Sequence, residues 1–68
     1  MENKFKDNLK YLRESKHLGQ VELATKLGVS KGVISLWENG LREPTMSSLI
    51  LIAQFFSVSV DFLIGLEE

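Results

Sequence analysis

Apolar residues recur along this chain at helical rather than alternating spacing, and the breaks between them mark about five short helices with no convincing strand pattern. Over residues 4–16, Phe5, Leu9 and Leu12 fall on one stripe, which Leu18 extends beyond the helix end. Gly19 is expected to stop this helix. A second helix spans about Gln20–Leu27 and closes at Gly28, where the missing Cβ permits a left-handed backbone. Ser30 is the expected N-cap of a third, because its hydroxyl can accept from free N–H groups of the first turn. That helix ends near Asn39 and Gly40. After a loop holding the only proline, Pro44, the next cap is Thr45, ahead of a helix over about Met46–Phe56. Leu49, Ile52, Ala53 and Phe56 form its inward stripe. Ser59 caps a last helix, about Val60–Ile64, which Gly65 terminates. The expected fold class is therefore all-α, a compact five-helix domain.

The second and third helices are joined by only two or three residues, so they must cross steeply. Backbones approach closely at such a crossing, and a side chain larger than Ala24 would push them apart, while Gly28 lets the chain reverse. Leu23, Leu27, Val29, Ile34 and Trp37 then point inward. Lys31, Gly32, Ser35, Leu36 and Asn39 are left on the outer face of the third helix, the arrangement of a helix-turn-helix whose second member is offered to a major groove.

Composition narrows the classes of function. Sixty-eight residues are expected to form one domain, 1–68, with a small core that must be used fully. The absence of cysteine removes disulfides and thiolate metal sites and suits a reducing compartment, with cytoplasm as the default. The longest apolar run, residues 49–53, is far too short to cross a bilayer, and no secretion signal is apparent at the start. The net charge of −1 hides an asymmetry: residues 1–31 carry seven Lys/Arg against four acids, whereas residues 32–68 carry Arg42 alone against five. A basic half can face an anion, but composition alone does not decide for nucleic acid. A single histidine, His17, and scattered carboxylates leave no nucleophile-base or metal constellation, so neither an enzyme, a metal site nor a cofactor is expected.

Taken in register, several segments resemble the Xre-type, lambda-repressor-like helix-turn-helix family. They are Leu9-Lys10-Tyr11-Leu12-Arg13, Gln20-Val21-Glu22-Leu23-Ala24, Leu27-Gly28-Val29-Ser30, Ile34 to Gly40, Arg42-Glu43-Pro44 and Val58 to Leu63. The resemblance covers nearly the whole chain and implies a DNA-binding transcriptional regulator. It also implies that Gln20 looks across to the recognition helix and touches the phosphate backbone from the positive end of its own helix, that Lys31, Gly32, Ser35 and Leu36 stand where relatives present base-contacting side chains, and that the cap Ser30 just before them belongs to the DNA-binding set. Asn39 and Arg42 match a second phosphate clamp. Arg13 and Glu38 match a largely buried salt bridge between the first and third helices.

The chemistry of these positions is uneven. Lys31 can donate to guanine or to a phosphate, Ser35 can serve either class of base, and Leu36 offers only an apolar surface suited to the thymine methyl. Gly32 departs from the longer polar residue usual in relatives. Leu36 also has a plain reading as an exposed leucine or part of a protein contact, the Arg13–Glu38 pair as purely structural, and Lys4, Lys6, Lys10 and Lys16 as a solvated face, the favoured reading, or a weak phosphate stripe. In the last third, Ile50, Leu51, Phe55, Phe62, Ile64 and Leu66 supply more apolar surface than one small core can enclose, which points to a homodimer. Two functions remain: a dimeric repressor, phage-encoded or bacterial, reading a palindromic double-stranded operator, or a protein-interaction module that keeps the fold without specific DNA binding. No membrane and no small-molecule ligand are expected as partners.

Overall fold

In a computed structural model, which describes residues 3–67, the expected helices form with nearly the expected bounds: α1 (Phe5–Ser15), α2 (Gln20–Leu27), α3 (Lys31–Glu38), α4 (Met46–Phe56) and α5 (Val60–Ile64). Glu2 and Glu68, counted in the charge balance above, lie outside the described residues. Ser30, Thr45 and Ser59 each accept at Oγ or Oγ1 from the backbone N–H three residues on, at 3.2, 3.1 and 2.9 Å. Each satisfies one of the donors that a helix start leaves free.

The first helix ends differently from the expectation. It stops at Ser15, and His17, not Gly19, turns the chain with a left-handed φ of 57°. Gly19 is extended and starts α2, its N–H donating to the Glu22 carboxylate at 2.9 Å. The physical reason lies in how all five helices close. At each end a residue in left-handed conformation (His17, Gly28, Gly40, Ser57, Gly65) is followed by an apolar residue whose N–H reaches back to a carbonyl of the last turn. The bonds run from Leu18 to Arg13, Val29 to Ala24, Leu41 to Leu36, Val58 to Ala53 and Leu66 to Asp61, all between 2.8 and 3.1 Å. This closure favours glycine but histidine and serine tolerate it when the following apolar residue packs well. Leu18 and Val58 do so, both lying against the core.

Phe5, Leu9 and Leu12 of α1, Leu23, Ala24 and Leu27 of α2, Ile34 and Trp37 of α3, Ile52, Ala53 and Phe56 of α4, and Leu63 of α5 form one buried cluster. Leu49 and Val29, expected inside, are half-buried at its margin. Phe5 meets Trp37 edge to face, with ring centroids 6.1 Å apart, so Trp37 is a core residue. Asn8 ties the two ends together, its amide donating to the carbonyls of Phe62 and Leu63 at 2.8 and 3.2 Å. No helix among the described residues is long and apolar enough to cross a membrane.

Candidate nucleic-acid interface

The presentation of α3 follows from the packing beneath it. Leu23, Ala24 and Leu27 on α2 bury against Ile34 and Trp37 on α3, and the left-handed Gly28 makes the short reversal between them. What remains outward is a face with few apolar groups. Lys31 and Gly32 are exposed in the first turn, Ser35 and Leu36 are half-buried in the second, and Asn39 is exposed just past the end. A Cβ placed on Gly32 would meet only the Ser30 hydroxyl, at 3.7 Å, which is ordinary contact. Packing therefore does not require glycine there, and the gap on this face is a property of the surface. Asn39 is less free than its exposure suggests: its amide nitrogen donates to the Ser35 carbonyl at 2.8 Å and hydroxyl at 3.2 Å. Asn39 thus presents its carbonyl oxygen and reserves its donor for Ser35.

Behind this face lies a charged network. Glu38 accepts from Arg13 Nε at 2.7 Å and from Nη2 at 2.9 Å, a two-pronged pair linking α3 to α1. Arg13 Nη1 donates to the Leu18 carbonyl, so the same guanidinium also pins the end of α1. The hydrogen bond to Glu38 raises the Arg13 pKa above its ordinary value, outweighing the opposing effect of burial. Gln20 joins from the first position of α2, its amide nitrogen donating to Glu38 Oε1 at 3.1 Å. Gln20 thus reaches across to the third helix, as the resemblance implies, with Glu38 as its partner there, and it is half-buried. The Asn39–Ser35 link was missed, although their spacing of four residues was a usable signal.

Arg42 is exposed in the loop after α3 and makes no ion pair among the described residues. Leu41 in the same loop and Met46 at the start of α4 are also exposed, and sequence reasoning assigned neither a surface role. Ile50 and Leu51 of α4 are 47% and 44% exposed and Leu66 is 69% exposed, whereas Phe55, Phe62 and Ile64 are half-buried. Phe55 and Phe62 rest on the core, so the open apolar surface is narrower than the six-residue set expected.

Comparisons with known proteins bear on this arrangement. The Helix-turn-helix family model matches residues 9–63. The transcriptional activator BcrR of Enterococcus faecalis is 47% identical over 64 residues, which is 94% of this chain and 31% of that protein. This chain spans between 31% and 54% of the length of three regulators that it matches. A transcriptional regulator from Listeria innocua superposes over the full chain and 64% of its own length, with a TM-score of 0.90 at 26% identity. The P22 c2 repressor, solved in complex with a synthetic operator, superposes with a TM-score of 0.85 at 25% identity, covering 93% of this chain and 96% of that one.

Proposed function

This chain belongs to the helix-turn-helix family, and on that footing we propose that it is a cytoplasmic, non-catalytic module, 1–68, of a transcriptional regulator that binds double-stranded operator DNA through α3. The observation that carries the reading is the α3 face itself: Lys31, Ser35, Leu36 and the bare Gly32 form a ridge that no other element among the described residues covers fully. An α-helix with its side chains is about 10–12 Å across, which fits a major groove about 12 Å wide. Lys31 and Arg42 would neutralise phosphates at either end of the ridge, and Leu36 would select a thymine methyl. Gln20, held by Glu38, would contact the backbone from the start of α2.

The partly open surface of Ile50, Leu51 and Leu66 supports a homodimer, which would place two α3 ridges on half-sites about 34–36 Å apart. A palindromic motif enriched from random duplexes by the purified protein is the expected result, and an absence of enrichment at low salt would refute sequence-specific binding. A repeat without two-fold symmetry would remove the dimer while keeping the contact. The exposed Leu41 and Met46 support a second reading, a protein-docking module that has lost DNA binding. Affinity falling steeply with salt separates the two.

A further inference from the structure

We propose, resting on the DNA-binding reading above, that Lys6 of α1 is a phosphate-contacting residue that joins Arg42 in a cationic pair at the C-terminal end of α3. Gly40 shows where the Lys6 side chain lies. A Cβ on Gly40 would fall 3.0 Å from Lys6 Cδ and 3.8 Å from its Nζ, so the lysine stem crosses the α3–α4 loop at the one residue with no side chain to obstruct it. The ammonium is thereby carried away from the outer face of α1. It opens into a cleft of about 590 Å³ floored by Trp37 and bordered by Asn39 and Arg42.

Two acids also line this cleft, Asp7 and Glu43, and Glu43 is held by the Asn3 amide at 3.3 Å. Among the described residues neither Lys6 nor Arg42 forms an ion pair with either of them. Lys4 also lines the cleft, but its stem is committed to α5: a Cβ on Gly65 would lie 3.0 Å from its Cβ and Cγ, and its N–H donates to the Ile64 carbonyl.

The position of the cleft identifies the anion. With the N-terminal residues of α3 turned to base edges, the residues that follow its last turn lie towards the edge of the groove, where the phosphates run. That end of α3 needs cations brought to it. A helix C-terminus repels anions, α3 has no basic residue in its last turn, and the Asn39 amide nitrogen is already committed to Ser35. Arg42 from the loop and Lys6 from α1 supply two.

The test is the salt dependence of binding to the duplex enriched by the wild-type protein, read by fluorescence anisotropy. Each phosphate contact contributes about 0.9 to the slope of log affinity against log salt, so the advantage of wild type over Lys6→Ala should shrink about 3.5-fold when salt rises from about 50 to 200 mM. Lys6→Gln, which keeps most of the stem over Gly40, should show the same loss, and Lys6→Arg should retain the wild-type slope. Lys10→Ala, on the same helix but away from the cleft, should leave it unchanged. A steep wild-type slope that Lys6→Ala and Lys6→Gln both preserve overturns the role of Lys6 alone. A wild-type protein with no salt-dependent binding overturns the DNA reading and this proposal together.

Discussion

Replacing Glu38 with alanine should bring the domain close to unfolding. Arg13 and Glu38 have side chains only 11% and 4% exposed, and Glu38 accepts both prongs of the guanidinium within 2.9 Å. An exposed ion pair is worth about 1 kcal/mol at most, whereas removing one member of a buried pair strands the other charge and costs about 3–5 kcal/mol. Burial decides between these figures here, because water cannot re-solvate Arg13 without opening the contact between α1 and α3. A domain of 68 residues is stable by about 3–10 kcal/mol in all. With a urea dependence of about 1 kcal/mol per molar, the midpoint should fall by about 3–5 M, followed by Trp37 fluorescence or helical circular dichroism. Replacing both Arg13 and Glu38 with methionine removes the stranded charge and should restore stability to within about 1 kcal/mol of wild type. Gln20, half-exposed, can turn to water in that variant. A midpoint shift below 1 M for Glu38→Ala, or a double variant no better than the single one, would refute the reasoning.

Ser57 adopts a left-handed conformation that strains any residue but glycine, so Ser57→Gly should raise stability by up to about 1 kcal/mol, read as a higher urea midpoint. Ala24 is buried at the crossing of α2 and α3, and Ala24→Leu should cost about 1–3 kcal/mol by overpacking; an unchanged melting temperature would mean that the crossing has slack. Leu36→Gln should exchange a preference for thymine for one favouring adenine at one position per half-site in a selection from random duplexes. Leu51→Glu should turn the proposed dimer into a monomer in sedimentation at high protein concentration, with helical content retained.

Helix starts were legible in this chain because an N-cap is written in one side chain: Ser30, Thr45 and Ser59 each had to be a short oxygen acceptor at the head of an apolar stripe. The residues that turn the chain at helix ends were legible only where they are glycine, although the bound of α4 at Phe56 was placed correctly. His17 and Ser57 close α1 and α4 with the backbone geometry of Gly28, and what permits this is the apolar residue after each, drawn onto the core. The recurring pair of a turn residue and an apolar one, His17-Leu18, Gly28-Val29, Gly40-Leu41, Ser57-Val58 and Gly65-Leu66, was the available signal. At the site, the buried Arg13–Glu38 pair implied by the resemblance forms, while residue types alone did not show the remaining contacts. Nothing local pairs Arg13 with Glu38 or lays Lys6 across Gly40, since each contact joins segments that only the crossing of α1 and α3 brings together. The same holds for Gln20, whose amide reaches Glu38 because Ala24 lets α2 sit so close to α3.

Fold and proposed function meet at the end of α3. The closure at Gly40 ends the helix with the Leu41 N–H on the Leu36 carbonyl and leaves no Cβ in the path of Lys6. The turn that stops α3 is thus also what sets Arg42 and Lys6 beside its last residue. A side chain at Gly40 would disturb both at once, straining a φ of 71° and displacing the lysine. Gly40→Ala should therefore lose DNA affinity beyond its loss of stability. In a Lys6→Ala background, where the displaced group is already gone, only the stability loss should remain. Equal losses of affinity in the two backgrounds would show that the closure and the cationic pair are independent.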